Sequence, residues 1–200
     1  MFVRVSSLLV ALAVAVVVTG CSKAPEAELA ASEQAMSNAQ MAEAEAYAPA
    51  SYRQALDSLN AAKVEIQNQD SKFALFRSYG RSKEILVAAK GLADKAVTDA
   101  QAAKEQVRLE DANLMTNIDG LLITTREALA KAPRGKGTKA DLELIAADLA
   151  SVETAYQAAV VDFNAGKYLA AKPKLEAAVN QLNRINADIE AAKAKASGKR

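Results

Sequence analysis

The sequence has no histidine and no tryptophan, and among its 200 residues there is one cysteine, Cys21. Without histidine the chain cannot use a histidine general base or a metal site of histidine and cysteine ligands. One cysteine also cannot close a disulfide within the chain. These absences remove the commonest catalytic and metal-binding chemistries, and we expect no metal and no cofactor.

An excess of either charge is also missing. Lys and Arg number 25 and Asp and Glu number 24, for a formal net charge of +1. A nucleic-acid-binding protein normally shows a basic excess, so we expect no nucleic acid partner. The closest carboxylate pairs, Glu43 with Glu45 and Asp141 with Glu143, stand two residues apart and do not share a helix face. We interpret them as solvated charges and expect no enzyme.

Aromatic residues make up 4% of the chain, and there are only 4 prolines and 8 glycines. The remainder is rich in alanine, glutamate, lysine, glutamine and leucine, which favour helices. Strand-like alternation of apolar and polar residues does not occur after the first 20 residues. The composition predicts an all-α protein with a thin core, because alanine side chains bury little area.

The N-terminus predicts an export signal. Arg4 precedes an apolar run from Leu8 to Val18 that is too short to span a bilayer. The segment Val18, Thr19, Gly20 and Cys21 resembles the lipobox of bacterial lipoproteins. That resemblance implies removal of residues 1–20, acyl chains on Cys21 (thioether-linked diacylglycerol and palmitate) and no free thiol. Two or three chains attach a protein permanently. The alternative is an ordinary signal peptide with an unrelated cysteine.

The same resemblance implies a location. Residue 22 is serine, where lipoproteins retained in the inner membrane tend to have aspartate. We therefore expect the bacterial cell envelope, at the outer membrane facing the periplasm.

Apolar spacing and helix breakers divide the body. The pattern predicts one helix over 26–47, a second from Pro49 to about Asn68, a turn at 69–71 and a third helix from Lys72 to Lys131. The residues expected to form the buried stripe of the third helix are Phe73, Phe76, Ile85, Ala89, Leu92, Ala96, Ala103 and Val107.

A loop over 132–139 follows, in which Thr138 or Asp141 is the expected helix cap. Two complementary apolar stripes then predict an antiparallel helical hairpin that turns at 164–166. The first stripe is Leu142, Ile145, Leu149, Val152, Tyr156, Val160 and Phe163, and the second is Tyr168, Ala171, Leu175, Ala178, Leu182, Ile185 and Ile189. Pro173 interrupts the second stripe, so we expect a bend there or a helix that starts again near residue 172.

These elements predict elongated antiparallel bundles: two three-helix units, 26–107 and 108–195, that share a long central helix. A short acylated tether, 21–25, precedes them, and a disordered tail, 196–200, follows. The alternative packs every helix into one compact bundle.

The segment Tyr47, Ala48, Pro49 and Ala50, between two alanine-rich helices, resembles the bacterial envelope lipoproteins grouped as domain of unknown function 4398. The resemblance covers roughly residues 21–110 and implies an envelope lipoprotein. Phe73 to Phe76 depart from it, since an acidic or alanine-rich segment is more usual there. Nothing in the remaining sequence is similar to the peptidoglycan-binding domain that some members carry.

One cluster is a candidate partner contact: Phe73, Phe76 and Tyr79 with Arg77 and Arg81. Aromatic residues and arginine favour interface centres. The alternative is packing at the end of the bundle.

We expect a lipid-anchored envelope protein with a structural, tethering or adaptor role. Its expected partners are the membrane and either an unknown envelope protein, the cell wall or a second copy of the chain. The alternative function is a periplasmic assembly or chaperone-like factor.

Overall fold

The computed structural model describes residues 23–135 and 137–198. Over these residues the chain is helical and has no strand, which confirms the all-α prediction. The helices are α1 (Glu26–Met41), α2 (Ala44–Tyr47), α3 (Pro49–Asp70), α4 (Gly80–Lys131), α5 (Lys139–Asn164) and α6 (Tyr168–Ala196), with one 3-10 turn (Ala74–Phe76). The chain divides into two compact units between Ala103 and Lys104, within α4.

The first predicted helix is wrong in one place, because it is broken rather than continuous. α1 ends at Met41, and Glu43 takes a left-handed conformation with φ 57° before α2 begins. Ala39 and Ala44 on either side are fully buried. The break therefore comes from packing both alanines into the core, since alanine and glutamate by themselves favour helix. The predicted break at Ala48 and Pro49 is confirmed, with Pro49 in the first turn of α3.

The third predicted helix begins at Gly80, so the predicted start at Lys72 is wrong. α3 instead extends to Asp70, into the turn predicted at 69–71, and an irregular segment joins it to α4. The predicted continuity further along is confirmed, since α4 runs without a break through Gly91, Asp111 and Gly120 to Lys131.

The core of the first unit consists mostly of alanine from α1, α3 and the first half of α4. Its buried residues are Ala35, Met36, Ala39, Ala44, Tyr52, Ala55, Leu59, Ala62, Leu86, Ala89, Ala93, Ala96 and Ala100. Ala89 and Ala96 were predicted, whereas Ile85 and Leu92 lie partly buried at the flank of the stripe. Small side chains allow close helix contact, and the buried Ser32 hydroxyl donates to the carbonyl of Leu86 over 2.8 Å.

The second unit has larger core residues and follows the predicted hairpin closely. Its buried residues are Ile118, Leu122, Ala132, Leu142, Ile145, Leu149, Val152, Tyr156, Ala159, Ala171, Leu175, Ala178, Leu182, Ile185, Ile189 and Ala192. The turn lies where it was predicted: Gly166 has φ +75°, and its N–H donates to the Phe163 carbonyl over 2.9 Å. The rings of Phe163 and Tyr168 meet across the turn with centroids 5.2 Å apart and their planes inclined by 58°.

Two details of this hairpin differ from the prediction. α6 runs unbroken from Tyr168 through Pro173, so a restart near residue 172 is wrong. Pro173 is the sixth residue of α6, where it removes one backbone hydrogen bond, to the Leu169 carbonyl, without ending the helix. Thr138 stands at the cap position of α5, but its hydroxyl donates to the Pro133 carbonyl (2.9 Å) and accepts from Gly135 N–H (3.0 Å).

By length and composition, α5 is apolar enough to cross a membrane. Its apolar stripe, however, forms the centre of the second unit, where Leu142, Ile145 and Leu149 are buried. Its exposed side carries Glu143 and Asp148 together with Leu144, and Glu153 at the flank pairs with Arg126 of α4 over 2.8 Å. Burial inside the unit and a charged outer face are typical of an amphipathic core helix.

Candidate functional site

The segment between α3 and α4, residues 71–79, carries three exposed large apolar residues within four positions. We call it the 71–79 loop. The backbone is extended at Phe73 (ψ 139°) and at Arg77 (ψ 134°), on either side of the 3-10 turn. Both phenylalanines and Leu75 consequently point away from the bundle. Phe73 is 69% exposed, Leu75 58% and Phe76 75%.

A buried amide holds the base of this loop. Gln69, in the last turn of α3, is 8% exposed. Its side-chain oxygen accepts from the N–H of Ser78 (3.0 Å) and from Lys72 Nζ (3.1 Å), and its amide nitrogen donates to Glu65 Oε1 (2.8 Å). One side chain thus joins both ends of the loop to α3.

A second set of bonds gathers at Asp70. The Tyr79 ring is 2% exposed, and its hydroxyl donates to the Asp70 carboxylate. This hydrogen bond to an anion, together with burial, raises the pKa of Tyr79. The Arg77 guanidinium donates to the backbone carbonyls of Asp70 (2.8 Å) and Lys72 (3.0 Å). The loop is therefore an ordered turn that presents an apolar tip.

The apolar tip is formed by Phe73, Leu75 and Phe76. The two aromatic rings lie with centroids 6.4 Å apart, inclined by 51°. Exposed hydrophobic residues scattered singly are ordinary on protein surfaces, whereas three within four residues make this loop a candidate interaction surface.

The structure separates the five residues predicted as a partner contact. Phe73, Phe76 and Arg81 are exposed and Arg77 is half-buried, whereas Tyr79 is buried as a support for the loop. The alternative, in which both phenylalanines pack inside the bundle, is wrong, because the helix that would have turned them inward begins only at Gly80. The predicted partner contact omitted Leu75, Gln69 and Asp70. The available signal was the apolar tetrapeptide 73–76, which contains Leu75 and interrupts a charged, alanine-rich sequence.

The 71–79 loop lies at the same end of the first unit as the N-terminus of α1. Near that end, Glu28 of α1 pairs with Lys83 of α4 over 3.2 Å, and Ser32 bonds to Leu86. At the opposite end, Gln40 of α1 donates to the Tyr52 hydroxyl of α3 over 3.0 Å. α1 and α4 thus run in the same direction, and α4 begins beside the first turns of α1.

Pro25 marks where the chain enters the bundle. It precedes α1 and is fully buried, while Lys23 is exposed. The predicted lipid attachment site, Cys21, and the lipobox residues Val18, Thr19 and Gly20 lie outside the described residues. In the sequence only three residues separate Cys21 from Pro25.

The second unit contains a surface cleft of about 510 Å³ beside the loop that follows α4. Its lining is mixed, with two cations, one anion and apolar stems: Leu129, Arg134, Gly135, Lys139, Leu142, Glu143 and Ala146. Within 23–135 and 137–198, no three acidic side chains come together as metal ligands would.

An unusual carboxyl group lies in α4 of the second unit. Asp111 is fully buried, and neither of its side-chain oxygens has a hydrogen-bond partner within the described residues. Burial raises the pKa of Asp111, and the charge of Lys172 acts in the opposite direction. Lys172 itself pairs with Glu110, which lowers the pKa of Glu110 and raises that of Lys172.

No family model, curated protein or solved structure matches this chain.

Proposed function

We propose that this chain is a lipid-anchored protein of the bacterial cell envelope, attached through acyl chains on Cys21, whose helices act as a tether or adaptor through protein–protein contacts. The resemblance to domain of unknown function 4398 lipoproteins is part of this proposal. So is the outer-membrane, periplasm-facing location.

The observation that carries the proposal is the short stretch of sequence between Cys21 and the folded bundle. Pro25 is already buried in the bundle, and only three residues separate it from Cys21, so the chain between them can reach at most roughly 13 Å. Acyl chains on Cys21 would hold the first unit against the bilayer surface. A protein that acted far from the membrane would need a longer spacer.

The adaptor role is supported by the mixed polarity of the exposed helix faces. Single apolar side chains, among them Val64 (55% exposed), Val87 (65%) and Leu144 (67%), stand among charged residues of both signs in the sequence. The charges between them are nearly balanced in sign, so neither a nucleic acid nor a strongly charged partner is favoured. Contacts of mixed polarity with another protein fit these faces best.

The anchor is tested by Cys21→Ala in the native host, with metabolic palmitate labelling and membrane fractionation. We expect the label to be lost and the protein to leave the membrane fraction, because one cysteine carries all the acyl chains. Ser22→Ala is the matched control and should keep both label and membrane attachment. A Cys21→Ala protein that retains label or remains as firmly bound would overturn the proposal.

The adaptor role is tested by crosslinking in cells followed by mass spectrometry. A single recurring partner, or covalent recovery with the cell wall, supports the tether. Recovery of many outer-membrane clients in small amounts would instead indicate an assembly factor and overturn the adaptor role. A negative result with all crosslinkers, at normal expression, would also count against it.

A further inference from the structure

We infer that the apolar tip of the 71–79 loop inserts into the interface of a bilayer with anionic headgroups, as a second membrane contact beside the lipid anchor; this rests on the proposed function. One attachment point would leave the protein free to swivel on the membrane. Two points at one end of the first unit would fix its orientation.

The first argument is position. The loop and the entry of the chain at Pro25 lie at the same end of the first unit, as the pairs Glu28 with Lys83 and Ser32 with Leu86 show. Because only three residues link Cys21 to Pro25, the acyl site cannot lie far from this end. A bilayer holding the acyl chains would therefore face the loop.

The second argument is chemistry. Phe73, Leu75 and Phe76 project from the bundle and would be transferred from water into the acyl boundary. Aromatic residues are enriched at membrane interfaces. The tip is also presented by an ordered turn, held through Gln69 and Asp70, so little conformational entropy is lost on insertion.

The third argument is charge. From Ser71 to Arg81 the chain carries three cations, Lys72, Arg77 and Arg81, and no acidic residue. The Lys72 and Arg81 side chains are exposed, Lys72 next to Phe73 in the chain and Arg81 two residues after the loop. The carboxylates at this end are engaged, because Asp70 accepts from the Tyr79 hydroxyl and Glu28 pairs with Lys83. Long basic side chains can lie along apolar surface while their charged ends reach phosphate oxygens. An apolar tip rimmed by cations complements an anionic lipid surface better than a second copy of the same basic loop.

The absence of tryptophan provides a direct test. Phe76→Trp places the only indole at the tip, at a position 75% exposed, so the fold should be unchanged by circular dichroism. Met41→Trp is the matched control: Met41 is 71% exposed and lies at the other end of α1. The full chain, purified from membranes, is reconstituted into vesicles of equal parts phosphatidylglycerol and phosphatidylcholine, with and without bromine on the acyl chains.

We expect Phe76→Trp emission to shift to shorter wavelength on reconstitution and to lose most of its intensity with brominated lipid. Met41→Trp emission should not respond to bromine and should remain accessible to acrylamide. Vesicles of phosphatidylcholine alone should quench Phe76→Trp less, because the headgroups no longer attract the basic rim.

Three results would overturn the inference. Phe76→Trp emission that remains open to acrylamide and ignores bromine would leave the loop in water. Emission shielded from acrylamide but indifferent to bromine, and dependent on protein concentration, would identify a second copy as the occupant. Failure of the protein to float with the vesicles would exclude both contacts. Palmitate labelling of Cys21 reports on the anchor separately, so the two proposals fail by different measurements.

Discussion

Replacing Asp111 by asparagine should stabilise the second unit at neutral pH. The carboxylate is fully buried in α4, and neither oxygen is hydrogen-bonded within the described residues. An unsatisfied buried polar group costs about 1–3 kcal/mol, and more when it is charged. Asparagine keeps the size and the helix propensity and removes the charge. We therefore expect the free energy of unfolding to increase by about 1–2 kcal/mol. Part of the burial cost remains, because the amide also needs hydrogen-bond partners.

The gain should depend on pH in a defined direction. Burial raises the pKa of Asp111 above the value of about 3.9 that the carboxyl has in an unfolded chain. The folded state thus binds the proton more tightly, and the contribution of Asp111 is most favourable below the unfolded pKa. It is lost as pH rises through the folded pKa. The free energies of unfolding of Asp111→Asn and wild type should converge near pH 3–4. Their difference should grow as pH rises, by at most about 1.4 kcal/mol per pH unit.

Thermal unfolding followed by circular dichroism at several pH values measures this difference. For a chain of this length, 1 kcal/mol corresponds to roughly 2–4 °C in Tm. Asp148→Asn, on the exposed face of α5, is the control and should leave Tm nearly unchanged at every pH. A variant less stable than wild type near pH 8 would refute the reasoning, since it would mean that the Lys172 charge compensates the buried carboxylate.

Two further pairs of substitutions test the second unit. Tyr156 is 5% exposed and donates to Asp119 Oδ1 over 2.8 Å, so Tyr156→Phe should cost about 1 kcal/mol in chemical denaturation. Tyr168→Phe keeps the ring contact with Phe163 and should cost less. Burial and the Asp119 bond raise the pKa of Tyr156, so in an absorbance titration this tyrosine should ionise at higher pH than free tyrosine. Gly166→Ala should cost about 1 kcal/mol because φ is +75°, whereas Gly120→Ala within α4 should stabilise by up to about 1 kcal/mol.

These pairs have clear contradicting outcomes. Equal losses for both tyrosine variants would show that the Asp119 bond contributes nothing measurable to the folded state. A stabilising Gly166→Ala would mean that the turn relaxes to a right-handed conformation without cost.

The helical hairpin of the second unit could be predicted residue by residue because its signal is local. Large apolar residues recur at steps of three and four on both helices, from Leu142 to Tyr156 and from Ala171 to Ile189, and those residues are the buried ones. The turn was equally readable, since Gly166 is the residue that a left-handed conformation favours.

The first unit was less readable because alanine carries a weak pattern. When most residues of a helix are alanine, several faces look equally suitable for burial, and Leu86 was missed while its neighbour Ile85 was chosen. The break at Glu43 has no breaker residue, so only the packing of Ala39 and Ala44 reveals it.

The candidate surface illustrates the same division. Its apolar and basic residues could be named from the sequence, but their orientation could not. Phe73 and Phe76 fit a helical stripe equally well, and it is the hydrogen bonds from Ser78 to Gln69 and from Arg77 to the Asp70 carbonyl that hold the segment out of a helix.

Composition and local spacing alone therefore determined that the body is helical and where its second hairpin turns, because both depend on contacts between residues close in sequence. Only the tertiary structure decided which alanine face is buried, where α1 breaks and which way the 71–79 loop presents its phenylalanines. Each depends on side chains that meet across different helices, and such meetings leave no periodic trace in the sequence.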